Sequence, residues 1–201
     1  MKTLIIALLS LAAGALLASC YIAGPAYPEK NGRIYLERRG YSEDLISRLI
    51  EGKRLAPSEV LALQASKSPD VRFLVASNPS LSTEQIAASI AHKDDFTRSG
   101  AANNTSLSEA QVDLLTEDES HTVYSALAGN TALTDKQLFR IRERRKLDDL
   151  WFAMNPNCPS SIRESIVASD NSLAKRWLEI TDKRKADGYY VQDAEGRWYK
   201  P

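Results

Sequence analysis

Ala76-Ser77-Asn78-Pro79, Ala102-Asn103-Asn104-Thr105, Ala128-Gly129-Asn130-Thr131 and Ala153-Met154-Asn155-Pro156 are four versions of one short phrase. Their asparagines, at 78, 104, 130 and 155, are spaced by 26, 26 and 25 residues. An alanine lies two positions before each one. Three positions after come Leu81, Leu107, Leu133 and Cys158. Stepping back a further period from Asn78 reaches Gly52, again with a leucine, Leu55, three residues on. Five units therefore share one frame, and a period of this length marks a stacked array of supersecondary units.

Each column has a physical reading. Asn and Gly tolerate a left-handed backbone best, so the column belongs just past a helix C-terminus. A first helix, A, then ends near residues 50, 77, 103, 129 and 154. A β-branched residue in place of Asn104 would be strained there. The following Leu or Cys plugs the turn into the core. Ser82-x-x-Gln85, Ser108-x-x-Gln111 and Thr134-x-x-Gln137 are in-register capping boxes that open a second helix, B. The first unit uses Pro57 with Glu59, and the last uses Pro159 with Ser161-x-x-Glu164. Helix B carries Ile86 and Ile90, Val112 and Leu115, Leu138 and Ile141, Ile162 and Ile166 at helical spacing. One such hairpin cannot bury its own apolar face, so the units stack and share a core.

Val71-Arg72-Phe73-Leu74-Val75-Ala76-Ser77-Asn78-Pro79 and Ala153-Met154-Asn155-Pro156-Asn157-Cys158-Pro159 resemble the leucine-rich-repeat-variant family. The resemblance covers roughly residues 44–181. It implies an all-α fold, a right-handed α-solenoid of about five helical-hairpin repeats of period 25–26. One type in that family carries an iron–sulfur cluster on an added cysteine-rich segment. This chain lacks such a segment, so no cofactor is carried over. A repeat scaffold is a shape shared by many functions and does not name one.

Before the repeats, Met1-Lys2-Thr3 leads into an apolar run from Leu4 to Ala18, interrupted by Ser10 and Gly14. One positive charge followed by a run of this length reads as a secretory signal over residues 1–19. The run ends Leu17-Ala18-Ser19-Cys20, which resembles the lipobox of bacterial lipoproteins. The thiol of Cys20 takes a diacylglyceryl group, and after cleavage its amino group is free for acylation. Several chains together anchor firmly to the bilayer, where one holds only marginally. Tyr21, rather than an Asp, follows the cysteine. The expected location is the cell envelope, at the periplasmic face of the outer membrane.

Residues 20–41 hold Gly24, Pro25, Pro28, Gly32 and Gly40 without sustained periodicity, and read as a tether. Ser42 with Glu43 and Asp44 then looks like a helix start. The solenoid is expected over residues 42–181. Asn171 to Ile180 reads as a last A helix with no B partner. Residues 182–201 contain Tyr189-Tyr190-Val191-Gln192 and Arg197-Trp198-Tyr199-Lys200 on either side of an Asp-to-Gly turn, a β-hairpin signature. A cap over the open end of the stack is one reading of the hairpin. An aromatic binding tip at Tyr190 and Trp198 is the other.

The chain carries 26 basic and 26 acidic residues, a balance that gives no electrostatic reason for a nucleic-acid partner. Once Cys20 is lipidated, Cys158 is the one remaining thiol, which excludes an internal disulfide or a cysteine metal cluster. Cys158 occupies the plug column and reads as a small buried residue rather than a nucleophile. His92 and His121 fall at helix ends, where a turn or surface role outweighs metal binding or catalysis. No catalytic constellation emerges, and no enzyme activity is expected. Charge is more informative. Glu109, Asp113, Glu117, Asp118 and Glu119 of the third unit face the sequence positions of Lys136, Arg140, Arg142, Arg144, Arg145 and Lys146 in the fourth. Pairing between adjacent helices explains them, and so does a partner-reading surface centred on Arg140, Glu109 and Asp113.

Three functional classes fit these features. A membrane-anchored lipoprotein whose scaffold binds another envelope protein or peptide leads. An inhibitor or immunity lipoprotein against an envelope toxin or enzyme is a more specific form of it. A structural or peptidoglycan-facing envelope protein is the third.

Overall fold

In a computed structural model, which describes residues 26–145, 149–192 and 197–200, the chain folds into helical hairpins followed by a two-stranded sheet. Helix α1 spans Ala26–Glu37. Five hairpins follow: α2 (Glu43–Ile50) with α3 (Pro57–Gln64), α4 (Pro69–Ala76) with α5 (Thr83–Ile90), α6 (Asp95–Ala102) with α7 (Glu109–Thr116), α8 (His121–Gly129) with α9 (Asp135–Arg145), and α10 (Asp149–Met154) with α11 (Ser160–Ala168). Helix α12 (Ser172–Ala186) and strands β1 (Val191–Gln192) and β2 (Trp198–Tyr199) complete the chain. The fold class is the one the repeat implies: all-α, with a small C-terminal hairpin.

Local chemistry fixes the helix ends. Ser82 and Ser108 accept from the amides of Gln85 and Gln111, whose side chains reach back to the cap amides. Thr134 and Gln137 do the same. Ser42 caps α2, and the Glu59 carboxylate accepts from the Ala56 amide at 2.6 Å. The fifth box does not form: α11 starts at Ser160 behind Pro159, with no side-chain cap. Proline at the cap sets the backbone, so Ser161 and Glu164 lie inside the helix.

Helices of type A lie side by side, α4 against α6, α6 against α8 and α10 against α12, with the B helices along one flank. Close approach needs small residues. A side chain at Gly100 of α6 would meet the Phe73 carbonyl oxygen of α4 at 2.6 Å. Plug residues Leu55, Leu81, Leu133 and Cys158 are buried. Two core clusters, one built on α1–α5 and one on α6–α12, join through Ile90 and Leu107, which pack against both.

The asparagine column has a different cause from the one its residue type suggests. Asn130 has φ −69° and ψ 119°, an extended backbone rather than a left-handed one. Its side-chain amide donates to the carbonyls of Ala102 (2.8 Å) and Asn104 (2.9 Å) in the preceding unit. Asn104 donates likewise to Ala76 and Asn78, and Asn155 to Ala128 and Asn130. Asn78 reaches the Lys53 carbonyl. Each amide oxygen accepts from the amide two residues on, at Ser80, Ser106, Ala132 and Asn157. That is an Asx-turn which aims the amide nitrogen at the neighbour. Every rung is buried, so the seam joins units through fully satisfied polar groups. The first unit does keep a left-handed residue in this column, Gly52, at φ +64°.

Thr181 stands 26 residues after Asn155 and is buried. Its hydroxyl donates to the Ala153 carbonyl at 2.9 Å, so it supplies the last rung from inside α12. A second row of ties lies near the A-helix starts. Arg72 binds Asp94 (2.8 Å) and Thr97, and Arg98, one period later, binds Asp118 through two nitrogens at 2.6 and 3.0 Å. In the next unit that column holds Tyr124, with the Arg145 guanidinium 5.2 Å from its ring centre.

Residues 26–37, read above as tether, are a helix. Helix α1 packs on α4, where a side chain at Gly32 would meet Leu74 at 2.7 Å, and it buries Leu36. Tertiary packing decides this helix, since its own sequence has little helical pattern.

Candidate functional site

Among the described residues, three surfaces bear on function. The first is the charged seam between α7 and α9. Arg140 pairs with Asp113 at 2.7 Å and Glu109 at 3.7 Å, and Arg144 pairs with Glu117. Arg145 donates to the Thr116 carbonyl. The structure therefore brings Arg140, Glu109 and Asp113 together, as ion pairs between neighbouring helices. Glu109 and Asp113 keep more than half of their side-chain surface in water. Pairs so exposed are worth at most about 1 kcal/mol each.

The second surface is the C-terminal hairpin, where Val191 pairs with Tyr199 and Gln192 with Trp198. Asn157 anchors it: its amide donates to the Trp198 carbonyl and its oxygen accepts from the Trp198 amide, each at 2.8 Å. The same amide nitrogen reaches the Thr131 carbonyl, tying the hairpin to two successive turns of the stack. Lys185 lies 5.2 Å from the Trp198 ring centre. Tyr190 is half-buried, and burial raises its hydroxyl pKa. Trp198 is thus tied to the turns of the stack, and it and Tyr190 are both half-buried. Tyr189 and Tyr199, at 39% and 43% exposure, are the aromatics that face water.

The third surface was not singled out in the sequence. Helices α3, α5 and α7, with the C-caps of the first two, expose Leu61, Ala62 and Ala65, then Ala87, Ala88 and Ala91, then Ala110 and Leu114. Leu61 is 71% exposed and Leu114 62%. The face is bordered by the acids of α7, and the next B helix, α9, presents Asp135, Lys136, Glu143 and Arg144 to solvent instead. A helical wheel drawn for the B columns alone would have found this change from apolar to charged.

His92 accepts from the Asp94 amide at 3.1 Å in a turn. His121, at the start of α8, stacks edge-on against Tyr124 and Trp151 and contacts the Ser125 hydroxyl. Burial pushes the Cys158 thiol up to about 12, which keeps it protonated at neutral pH and suits a core plug. No group of three or more His, Cys, Asp or Glu with metal-binding geometry occurs among the described residues. No described helix is long and apolar enough to cross a membrane. Cys20 and the signal segment lie outside the described residues.

No protein-family model, curated protein or solved structure matches this chain.

Proposed function

We propose that the protein is an envelope lipoprotein, anchored to the bilayer through acylated Cys20, whose helical stack holds another envelope protein or peptide. The observation that carries the binding half of this reading is the exposed face of α3, α5 and α7. Leu61 and Leu114 stand in solvent among six exposed alanines, whereas α9 exposes Asp135, Lys136, Glu143 and Arg144. Exposed apolar side chains bordered by polar groups suit a protein contact. Small side chains let a partner helix lie close. The lipobox and the apolar run before it support the anchoring half.

In-cell crosslinking of the tagged full chain, followed by identification of what co-purifies from solubilised envelope, tests the binding half. One dominant protein partner is expected, with recovery lost in Leu61→Glu and Leu114→Glu variants that remain folded. Equal recovery from those variants, or no partner above background, contradicts it. For the anchor, Cys20→Ser is expected to accumulate as an uncleaved precursor without lipid mass. A mature-sized product from that variant would overturn the lipobox assignment.

A further inference from the structure

We propose that the outer face of α1, with the turn that follows it, is a binding surface for anionic phospholipid headgroups and holds the stack against the bilayer. The choice of occupant rests on the lipid anchor proposed above.

Chain length sets the distance. Five residues, 21–25, separate Cys20 from Ala26, where α1 begins. Fully extended, they span about 20 Å. Helix α1 adds nothing to that reach, because it packs along α4 through Gly32 and buries Leu36. An acylated Cys20 therefore brings the body of the stack up to the membrane.

Burial settles which way α1 faces. Gly32 and Leu36, one turn apart, lie on its buried side. Lys30, Ile34 and, just past the helix end, Arg38 recur at the same spacing on the other side, and all three are exposed. Gly40, at φ +74°, ends the helix, and the Tyr41 amide donates back to the Leu36 carbonyl at 3.2 Å. Arg39 and Tyr41 are thereby carried on an ordered turn beside the helix. Ile34 and Tyr41 are each 37% exposed, and the Arg39 guanidinium lies 5.0 Å from the Tyr35 ring centre.

Over residues 30–41, Lys30, Arg33, Arg38 and Arg39 stand against one acid, Glu37. Arg33 serves Glu37 at 3.5 Å and Glu43 at 2.7 Å, and Asp44 is held by Arg48. Lys30, Arg38 and Arg39 make no ion pair with a described residue. Unpaired cations interleaved with Ile34, Tyr35 and Tyr41 match a charged bilayer surface. Lipid phosphates take the charges, and the apolar and aromatic side chains enter the boundary beneath them.

The test uses the full chain, processed in cells, purified in detergent and reconstituted into phosphatidylcholine vesicles with or without phosphatidylglycerol. A spin label is placed through Ile34→Cys, since the native Cys158 is buried. Collision with a water-soluble quencher is expected to fall on the anionic vesicles and not on the neutral ones. The docking equilibrium, read from the protected fraction, is expected to weaken about tenfold or more in an Arg38→Gln, Arg39→Gln double variant. Both arginines are exposed, and circular dichroism checks that the variant stays folded. A label equally open to the quencher on both vesicles overturns the surface. Protection that ignores phosphatidylglycerol and the double variant overturns the anionic headgroup as occupant. A label open on vesicles but protected in intact cells also overturns the lipid, in favour of a protein or glycan on this face. Intact mass of the same preparation reports the anchor separately. A chain without lipid on Cys20 contradicts the anchor, and the proposed occupant falls with it.

Discussion

Two of the polar seams between neighbouring repeats of this protein differ in one physical respect. Along the turns, the buried side chains of Asn78, Asn104, Asn130, Asn155 and finally Thr181 donate to carbonyls of the unit before. Between α7 and α9, Arg140 and Arg144 meet Asp113, Glu109 and Glu117 in the open. The first recurs at each period, the second joins a single pair of helices, and both look specific. Burial separates their energetic weights. A buried carbonyl stripped of its donor has no water to turn to, whereas an exposed carboxylate stripped of its cation is simply hydrated.

Replacing Asn104 with Leu is the most direct way to break the buried seam. It leaves the Ala76 and Asn78 carbonyls without that donor, and a loss of about 3 kcal/mol in urea unfolding is expected. A smaller loss, about 1 kcal/mol, is expected for Thr181→Val, which keeps the shape and removes a single hydroxyl bond. Acid sharpens the contrast through Glu59, which Arg48 and the Ala56 amide hold down to about 2. Its folded pKa lies below the ordinary value of 4.5, so its contribution is complete above that value and is lost as pH falls toward 2. Melting temperature should therefore drop across this window in the wild type, and drop less in Glu59→Gln. At the exposed seam, Asp113→Asn is expected to change stability by less than about 0.5 kcal/mol, read from the same urea titrations.

The sequence made the repeats legible because their punctuation is local. Capping boxes, plug residues and the Ala–Asn phrase act within a few positions of themselves, and the structure keeps them in register. The role of the asparagines was not legible in the same way. Their partners are backbone carbonyls about one period away, and every residue has a carbonyl, so nothing in the sequence marks the acceptor. Local conformational preference pointed to a left-handed backbone instead, and Asn130 is extended. Thr181 was hidden for a related reason: it performs the task of the column from within a continuous helix, without the turn that identifies the other rungs. Helix α1 was read as tether because Pro28 and Gly32 look like breakers. Pro28 falls in the first turn, where no hydrogen bond is lost, and Gly32 is what allows contact with Leu74. The candidate surfaces were partly legible. Complementary charge between α7 and α9 was visible, but its use in mutual pairing depended on the stacking distance. The anchoring of Trp198 depended on Asn157, which sits 41 residues earlier in the chain.

The central claim is that the buried asparagine seam couples the repeats into one cooperative stack, and native-state hydrogen exchange on Asn104→Leu tests it most directly. Amides of α4, α6 and α8, on both sides of the missing rung, are expected to exchange faster by a common factor. Acceleration confined to the turn around residues 103–108, with the neighbouring helices as protected as in the wild type, would contradict the claim.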